Sequence, residues 1–326
     1  MRAVLLHEFG PPAQLRIADV PTPEPAAGEV AVQVAAAGIQ FLETQVRAGT
    51  MRGVLGGAPL PVILGKEIAG VVTEVGPGGD PGLIGTRVLA STTGLGGYAE
   101  TAVVPADSLV PVHDGVELPE AVALYRYGVT AQGLVRAARV TSGDRVLVLA
   151  AAGAVGTILV QLLKRAGATV VAAARGERKL ALLGELQADH VVDYSLPHWT
   201  ARVRDALGGP VDVVYDHVGG ALGRAAFELL TPGVGRQITF GFSSGTPLEV
   251  RPMELLGRSL TLTGFSAGSL WSRPELARDL ATEVLELAAA GQIRPVVGQR
   301  FPLERAADAH AAIEARDTVG KTLLIP

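Results

Sequence analysis

Apolar residues at every second position characterise the first third of the chain. Within Glu29–Val34, valines alternate with other residues, which is the period of a strand with one buried face. Three prolines at positions 21, 23 and 25 precede this segment and predict an extended linker or sheet edge. Further short strands are predicted at Ile68–Val75, Arg87–Ala90, Tyr98–Val104 and Ser108–Val112. This part of the chain is therefore predicted to be β structure broken by turns.

The pattern changes at Leu118. Pro119 and Glu120 suit a first helical turn, and apolar residues at helical spacing continue to Val135. From Arg145 onward, short apolar runs alternate with helical patterns, which predicts a parallel sheet with crossover helices. The predicted strands are Arg145–Ala150, Thr169–Ala174, His190–Val192, Val211–Asp216, Gly235–Phe240 and Leu260–Phe265. A helix at Pro274–Ala290, another ending near Ala315, and a strand at Gly320–Ile325 follow.

Length and composition set limits on the classes of function. At 326 residues, with 48% apolar and 18% charged residues, the chain is expected to form two domains with large cores. Its formal charge of −4 gives no electrostatic reason to expect nucleic acid or an anionic membrane as a partner. The absence of cysteine excludes disulfides, thiolate nucleophiles and cysteine-based zinc sites. We expect a cytoplasmic protein.

A small-residue turn directly follows the strand predicted at Arg145–Ala150. A side chain at Gly153 would hold the backbone away from a pyrophosphate, and one at Gly156 would push the following helix off the strand. The first N–H groups of that helix, at Ala154, Val155 and Gly156, would then be available to phosphate oxygens. Ala151 stands where the usual pattern has its first glycine, so the match is imperfect. The segment predicts a dinucleotide site; the alternative is a purely structural turn.

The end of the second strand bears on which nicotinamide dinucleotide is bound. NAD-binding versions of this fold usually place a carboxylate there, on the 2′-hydroxyl of the ribose. This chain has Arg175, 24 residues after Ala151, and Lys179 beyond it. A guanidinium can hold a 2′-phosphate through paired hydrogen bonds, which favours NADPH. The alternative is that both are ordinary surface cations.

Longer motifs extend this interpretation to nearly the whole chain. They are Ala36–Thr44, Leu60–Val72, Gly96–Glu100, the turn at Ala150–Gly156, Val211–Gly220 and Val319–Pro326. In this order and spacing they resemble the zinc-free quinone oxidoreductase (zeta-crystallin-like) branch of the medium-chain dehydrogenase/reductase superfamily. Zinc-containing relatives carry a cysteine near Gly38 and a histidine between Gly65 and Glu67. This chain has Ile39, Gln40 and Lys66 at those places, so the resemblance implies that no metal is bound.

The resemblance also implies an architecture. It predicts an α/β protein with a GroES-like β domain at 1–117 and 268–326, and a Rossmann doubly wound parallel-sheet domain at 118–267 that binds NADP(H). The active site would lie in the cleft that these domains flank. Similar proteins are homodimers that pair an edge strand of each Rossmann sheet, which corresponds here to Leu260–Phe265.

Individual site residues are also implied by the resemblance. It assigns Gln40 and Thr130 to the nicotinamide, His217, Phe240, Gly241, Phe265 and Ser266 to its ribose and amide, and Arg175, Lys179 and Tyr194 to the 2′-phosphate. The family often has Asn, Asp, Tyr and Asn where this chain has Gln40, Glu43, Gln45 and His217. Loss of that tyrosine weakens the expectation that a quinone stacks at position 45.

Without a metal, the favoured acceptor must already be electrophilic, as a quinone or a conjugated enone is. The candidates for the substrate pocket are Gln40, Gln45, Arg47, Tyr125 and Tyr127. Either tyrosine could supply a proton, or both could pack a domain hinge; Arg47 could meet a substrate carbonyl or be an exposed loop cation. We therefore expect an NADPH-dependent reductase of small-molecule quinones or enones. An enoyl-thioester reductase and a non-catalytic NADPH sensor or structural protein are the alternatives.

Overall fold

A computed structural model describes residues 1–56, 58–92 and 95–326 of the chain. The strands in these ranges are β1 (Arg2–Leu6), β2 (Leu15–Asp19), β3 (Glu29–Ile39), β4 (Val62–Ile63), β5 (Glu67–Val75), β6 (Arg87–Ser91), β7 (Thr101–Pro105), β8 (Val110–Pro111), β9 (Arg145–Val148), β10 (Thr169–Ala174), β11 (His190–Asp193), β12 (Val213–Asp216), β13 (Arg236–Thr239), β14 (Thr261–Gly264), β15 (Val297–Pro302) and β16 (Lys321–Ile325). The helices there are α1 (Phe41–Ala48), α2 (Leu118–Ala138), α3 (Ala154–Arg165), α4 (Glu177–Glu185), α5 (Trp199–Leu207), α6 (Gly220–Phe227), α7 (Pro252–Arg258), α8 (Gly268–Trp271), α9 (Pro274–Ala289) and α10 (Ala306–Glu314).

The chain divides into two compact units, one formed by Met1–Arg126 with Ala281–Pro326 and the other by Tyr127–Leu280. The first unit holds two sheets. In the larger, the strand order is β15-β16-β3-β5-β6-β8, and β7 pairs with β3; the smaller has the order β2-β1-β4. Most of these pairings are antiparallel, so short connections suffice between neighbours. The chain's last strand, β16, pairs with β3, so both ends of the sequence build this unit.

The second unit contains a six-stranded sheet with the order β11-β10-β9-β12-β13-β14, and all of its pairings are parallel. Counted from the first strand of this unit, the order is 3-2-1-4-5-6, which is the doubly wound arrangement of dinucleotide-binding domains. The predicted α/β class, with a β domain and a parallel-sheet domain, is confirmed. The order reverses between β9 and β12, and ligands of such sheets bind beyond the carboxyl ends of the strands at that point.

Several elements of the first unit differ from the prediction. β1, β2 and α1 were not anticipated, and the strand predicted at Tyr98–Val104 begins only at Thr101. The buried residues of helix α1 do not follow its apolar ones: Glu43, Thr44 and Arg47 are buried, whereas Phe41 and Leu42 are only half-buried. A pattern based on hydrophobic period cannot detect such a helix, since the groups that pair with these polar side chains are distant in sequence.

Candidate functional site

The turn after β9 is built from backbone with few side chains. Gly153 precedes α3 in an extended conformation (φ −77°, ψ 173°), and no side chain caps the helix. A Cβ at Gly153 would meet only the carbonyl oxygen of Ala150, at 3.4 Å, so the protein's own packing does not demand glycine there. The initial N–H groups of α3 lack partners within the helix. The turn therefore leaves room and hydrogen-bond donors for an anionic group.

Gly156 is required for packing within the turn. A Cβ there would lie 2.4 Å from the carbonyl oxygen of Ala151 and 2.6 Å from its Cα, so a side chain at this position would force the backbone to shift. Glycine at 156 thus lets α3 approach the end of β9. Ala151, fully buried, replaces the first glycine of the pattern without adopting a positive φ; instead Ala150 takes the left-handed conformation, with φ +49°. The imperfect match in sequence therefore still makes a tight turn.

The ends of β10 and β11 bring a second set of predicted residues together. Arg175 and Tyr194 directly follow Ala174 and Asp193, which are register partners in adjacent strands. Arg175 is exposed, and Tyr194 and Lys179 are half-buried. The N–H of Gly176 donates to the Asp193 carboxylate at 2.9 Å, which fixes the corner between β10 and α4.

Asp193 lies in the electrostatic range of Arg175. Burial alone would raise the pKa of Asp193, but hydrogen bonds from the Ser195 hydroxyl and from the Gly176 and Ser195 N–H groups, together with the Arg175 charge, lower it below the ordinary value. Asp193 is therefore a carboxylate at neutral pH, and Arg175 is the cation beside it. A further anion at this corner would depend on Arg175 to offset the Asp193 charge.

Residues after β12 and β13 form a third group. The buried Asp216 carboxylate accepts the N–H groups of Val218 and Gly219 at 2.8 and 2.9 Å, which fixes the loop that follows β12. Burial raises the pKa of Asp216. In this loop the His217 ring stacks on Phe240, with ring centroids 5.5 Å apart and 26° between their planes.

The remaining predicted contacts of the second unit lie just after β13, just after β14 and on α2. A Cβ at Gly241 would come 3.2 Å from the carbonyl oxygen of His217, so the loops after β12 and β13 touch. Phe265 follows β14, and its ring packs on α2, where a Cβ at Gly133 would lie 2.9 Å from the ring. Thr130, buried on α2, is about one turn earlier in that helix. Ser266 accepts a hydrogen bond from the Ser269 hydroxyl at 2.7 Å.

In the first unit, the buried carboxylate of Glu43 organises the residues around Gln40. One oxygen of Glu43 accepts the N–H of Gln40 and the Tyr98 hydroxyl, both at 2.8 Å, and the other accepts the N–H of Lys66 at 2.9 Å. Burial raises the pKa of Glu43, although these donors oppose that shift. From the sequence, Glu43 was noted only as a position where the family often has Asp. Its role as an acceptor was not predicted, since Tyr98 and Lys66 are distant from it in the chain.

The side chain of Gln40 ends in a buried amide nitrogen that has no hydrogen-bond partner among the described residues. An unsatisfied buried donor is costly, so such a group is an expected contact for a ligand with an acceptor atom. Gln45, the other predicted pocket amide, is half-buried on α1, where its backbone carbonyl oxygen accepts the Thr50 hydroxyl at 3.1 Å.

Arg47 was expected either to meet a substrate carbonyl or to be an exposed loop cation, and the second expectation is wrong. Arg47 lies on α1 with its side chain only 2% exposed, where its guanidinium pairs with Glu314 and donates to the carbonyl oxygen of Gly10. The two tyrosines named as proton donors lie on α2. Tyr125 is 4% exposed, and Tyr127 is half-buried.

A second buried charge pair lies beside Gly38 on β3. Lys321 of β16 and Glu67 of β5 form a salt bridge with side chains that are 1% and 0% exposed. A Cβ at Gly38 would lie 2.6 Å from Lys321 Cε and 2.7 Å from Glu67 Oε1, so only glycine leaves room for the pair. The N–H of Arg126 also approaches Glu67, at 3.4 Å.

The described residues were also searched for metal-ligand groups and for membrane spans. No cluster of three or more His, Asp or Glu side chains within 1–56, 58–92 and 95–326 could hold a metal ion. Over the same ranges, no helix combines the length and apolar character needed to cross a membrane.

Two family models match the chain. The alcohol dehydrogenase GroES-like domain matches residues 26–114, and the zinc-binding dehydrogenase model matches residues 186–324. The chain is 33% identical to the 2-haloacrylate reductase of a Burkholderia species, over 99% of this chain and 98% of the relative. It is 34% identical to a quinone oxidoreductase of Pseudomonas aeruginosa, over 98% of this chain and 97% of the relative.

The solved structures agree. The crystal structure of Escherichia coli quinone oxidoreductase complexed with NADPH aligns over 100% of both chains, with 30% identity and a TM-score of 0.90. The chain belongs to the quinone oxidoreductase family of medium-chain dehydrogenases/reductases. The predicted family membership is thus confirmed. Although one matching family is described as zinc-binding, this member has no cysteine, and the half-buried cation of Lys66 cannot ligate zinc.

Proposed function

We propose that the protein is an NADPH-dependent oxidoreductase that transfers hydride to a quinone or an α,β-unsaturated carbonyl compound without a catalytic metal. The observation that carries this proposal is the turn at Gly153, open and rich in backbone donors, with Arg175 at the neighbouring strand end. Relatives that match the full chain support it, among them the quinone oxidoreductase crystallised with NADPH and the 2-haloacrylate reductase.

The residues of the second unit fit the cofactor. The turn at Gly153–Gly156 would hold the pyrophosphate, and Arg175, Lys179 and Tyr194 would surround the 2′-phosphate. The stacked pair His217–Phe240, with Gly241, would line the nicotinamide ribose. Thr130, Phe265 and Ser266 complete the proposed binding set. When bound, the reduced nicotinamide supplies the hydride.

The chain itself contributes positioning and exclusion of water. The buried Gln40 amide nitrogen, which lacks a partner among the described residues, would donate to an oxygen of the nicotinamide or the acceptor. Hydride addition to a quinone or enone leaves an oxyanion or enolate, which then takes a proton from water or from a tyrosine such as Tyr127. Because the acceptor is already electrophilic, no Lewis acid is needed to activate it.

Turnover separates this function from the alternatives. Purified protein is mixed with NADPH and a panel of quinones, enals and enoyl thioesters, and the loss of reduced-nicotinamide absorbance is recorded. We expect consumption with quinones or enals. Consumption with enoyl thioesters alone would identify a thioester reductase. Tight NADPH binding with no consumption across the panel would instead support a sensor or structural protein.

The preference for NADPH is tested at Arg175. Loss of a charge-assisted hydrogen bond costs about 1.5–3 kcal/mol, so Arg175→Ala should weaken NADPH binding by about 10- to 100-fold while NADH binding changes little. Arg202, exposed on α5, provides a control in which the same charge is removed from the same unit. Calorimetric titration with both nucleotides measures the effect. Equal losses for NADPH and NADH would contradict the assignment.

We also propose that the protein is a cytoplasmic homodimer that pairs β14 with its symmetry mate. β14 is an edge strand of the parallel sheet and leaves one row of backbone groups unpaired within its own unit. A twofold axis at this edge would join two six-stranded sheets into one and would satisfy those groups. Sedimentation should then give about twice the chain mass of 33.5 kDa. A species of single-chain mass at micromolar concentration would contradict this pairing.

A further inference from the structure

Helix α7 of the second unit exposes apolar side chains and turns its charged ones towards the protein. Its outer face consists of residues that share one side of the helix by their spacing and are all exposed: Pro252, Met253, Leu256 and Gly257. A surface helix normally has the opposite distribution. Among the described large hydrophobic residues, Leu256 and Met253 have the highest exposed fractions, 70% and 69%. Such a face indicates a contact that the single chain does not make.

Contacts on the other side of α7 fix the helix in this orientation. Glu254 forms a salt bridge with Arg224, and Arg258 forms one with Glu228 at 3.0 Å. Leu255, which lies between the two charged residues of the helix, packs against the buried apolar core of the second unit. A rotation of α7 that buried its outer face would break both salt bridges and expose Leu255. The exposure of the outer face is therefore a fixed property of the single chain.

The outer face of α7 lies next to the edge strand β14. Only two residues separate the helix from the strand, and the N–H of Leu260, one of them, donates to the carbonyl oxygen of Leu255 at 3.0 Å. The turn before β13 adjoins the end of the helix, because the N–H of Gly233 donates to the carbonyl oxygen of Arg258 at 2.9 Å. In this turn Val234 is 62% exposed, the third-highest fraction among the described large hydrophobic residues. The three most exposed large hydrophobic residues thus lie on α7 or on the turn bonded to it.

β14 alone is too small to hold two copies of the chain together. A stable interface buries about 800 Å² on each partner and uses about 20–30 residues a side. β14 has four residues, so pairing it with its symmetry mate requires further surface beside the strand. The outer face of α7 and Val234 offer apolar surface there. The outer face carries no charge, so contact with its own copy across a twofold axis brings no like-charge repulsion.

We propose that the outer face of α7, together with Val234, docks on a second copy of this chain and forms the apolar part of a dimer interface beside β14. The paired edge strands supply backbone hydrogen bonds and set the register, and the outer face supplies the burial of apolar surface that stabilises the association. This inference rests on the proposed homodimer and names the surface that holds it together. The proposed reductase function does not depend on it.

The absence of cysteine allows a direct test, because a single introduced thiol becomes the one thiol that a maleimide can label. Leu256→Cys, on the outer face, is compared with Leu196→Cys, which lies beyond β11 at the opposite edge of the same sheet. In the single chain, position 256 is 70% exposed and position 196 only 43%, so Leu256→Cys should react faster. In the dimer the order reverses, and Leu256→Cys should react about 10-fold more slowly than Leu196→Cys until dilution separates the copies.

Dissociation of the dimer gives a second readout. Leu256→Asp places a carboxylate on both sides of the interface, so the Kd of the dimer, measured by sedimentation, should rise about 100-fold or more, while Leu196→Asp should leave it unchanged. Circular dichroism checks that both variants fold; if Leu256→Asp does not, the labelling comparison decides.

Two results would overturn the inference and leave the pairing of β14 standing. One is a wild-type dimer in which Leu256→Cys reacts faster than Leu196→Cys, and the other is a folded Leu256→Asp protein that associates as tightly as wild type. A wild type of single-chain mass at micromolar concentration would remove the proposed homodimer and this inference together.

Discussion

The two units of the chain arrange their candidate functional groups by different means. At the turn after β9 the second unit uses backbone: Gly153 leaves space, Gly156 allows close packing, and the start of α3 offers N–H groups. Around Gln40 the first unit uses buried charge, with Glu43 holding two backbone segments and Glu67 paired to Lys321. The turn depends on residues adjacent in sequence. The charged cluster depends on partners brought together only by folding, so a single substitution there should cost more.

The largest expected effect is at the buried pair. Lys321→Met leaves the Glu67 carboxylate buried without its counter-ion, which should cost about 3–5 kcal/mol of folding free energy. Glu67→Gln combined with Lys321→Met should recover much of that loss, because no unpaired charge then remains. Both tryptophans, Trp199 and Trp271, belong to the second unit, so hydrogen exchange in β3 and β5 is the suitable measurement for the first.

An exposed pair in the same unit provides the control. Arg305 and Asp308 are bridged at 2.7 Å, but their side chains are 61% and 56% exposed. Arg305→Gln should therefore change stability by less than about 1 kcal/mol. If Lys321→Met lowers the folding free energy by no more than Arg305→Gln does, the prediction that burial makes the Glu67–Lys321 pair more important for stability is wrong.

A smaller effect is expected at the turn. In Gly156→Ala the added Cβ would overlap the carbonyl oxygen of Ala151, and relief of that overlap should cost about 1–3 kcal/mol. Gly184 on α4 is the matched control, because a Cβ added there would meet no other atom within 4 Å. Gly184→Ala should be neutral or stabilise by about 0.5–1 kcal/mol. Urea denaturation followed by tryptophan fluorescence measures both, and equal responses would contradict the packing role of Gly156.

Gly153 lies in the same turn as Gly156, but we expect its substitution to affect NADPH binding rather than stability. Since a Cβ at Gly153 meets only Ala150, at 3.4 Å, Gly153→Ala should leave the free energy of unfolding within about 0.5 kcal/mol of wild type. It should nevertheless weaken NADPH binding, because the new methyl group occupies the space proposed for the pyrophosphate. Denaturation and calorimetric titration on one protein sample separate the two effects. A large loss of stability with unchanged NADPH affinity would reverse the assignments of the two glycines.

The sequence predicted the second unit better than the first, because the second unit depends more on residues that are adjacent in sequence. β10 has the bounds that the apolar run Thr169–Ala174 predicts, and Lys164 and Arg165 lie in the last turn of α3, where the helix dipole favours cations. Such features depend on strand burial and helix ends, which leave a local pattern. The left-handed Ala150 could not be foreseen, since alanine gives no sign of that conformation.

In the first unit the informative residues are polar and buried. Arg47 is satisfied by Glu314, 267 positions away, and Lys321 by Glu67, 254 positions away. A charged residue in a short sequence window predicts exposure, so α1 and its ion pair were missed. The lysine at position 66 is recognisable as a departure from the zinc pattern, but the hydrogen bond from its N–H to Glu43 required the folded chain.

The effect that is smallest near neutral pH concerns protons rather than packing. His310 on α10 contacts the Tyr98 hydroxyl through Nε2 at 3.2 Å, while its Nδ1 is buried with no hydrogen-bond partner among the described residues. Burial, reinforced by the nearby charge of Arg47, lowers the pKa of His310 to about 3. Between that value and the ordinary 6.5, the unfolded chain binds a proton that the folded chain does not. Stability should therefore fall as pH drops below about 6.5, by at most about 1.4 kcal/mol per unit.

His310→Gln keeps a polar side chain beside Tyr98 but cannot titrate, so this variant should lose that part of the pH dependence. The measurement is hydrogen exchange in β3 and β5 at several pH values from about 7 to about 4.5, corrected for the intrinsic exchange rate. Because Glu43, Arg47 and Glu314 remain in both proteins, the difference between the two slopes isolates the histidine. Identical slopes would mean that His310 is protonated in the folded state, and the buried cluster would then carry one more positive charge than its geometry indicates.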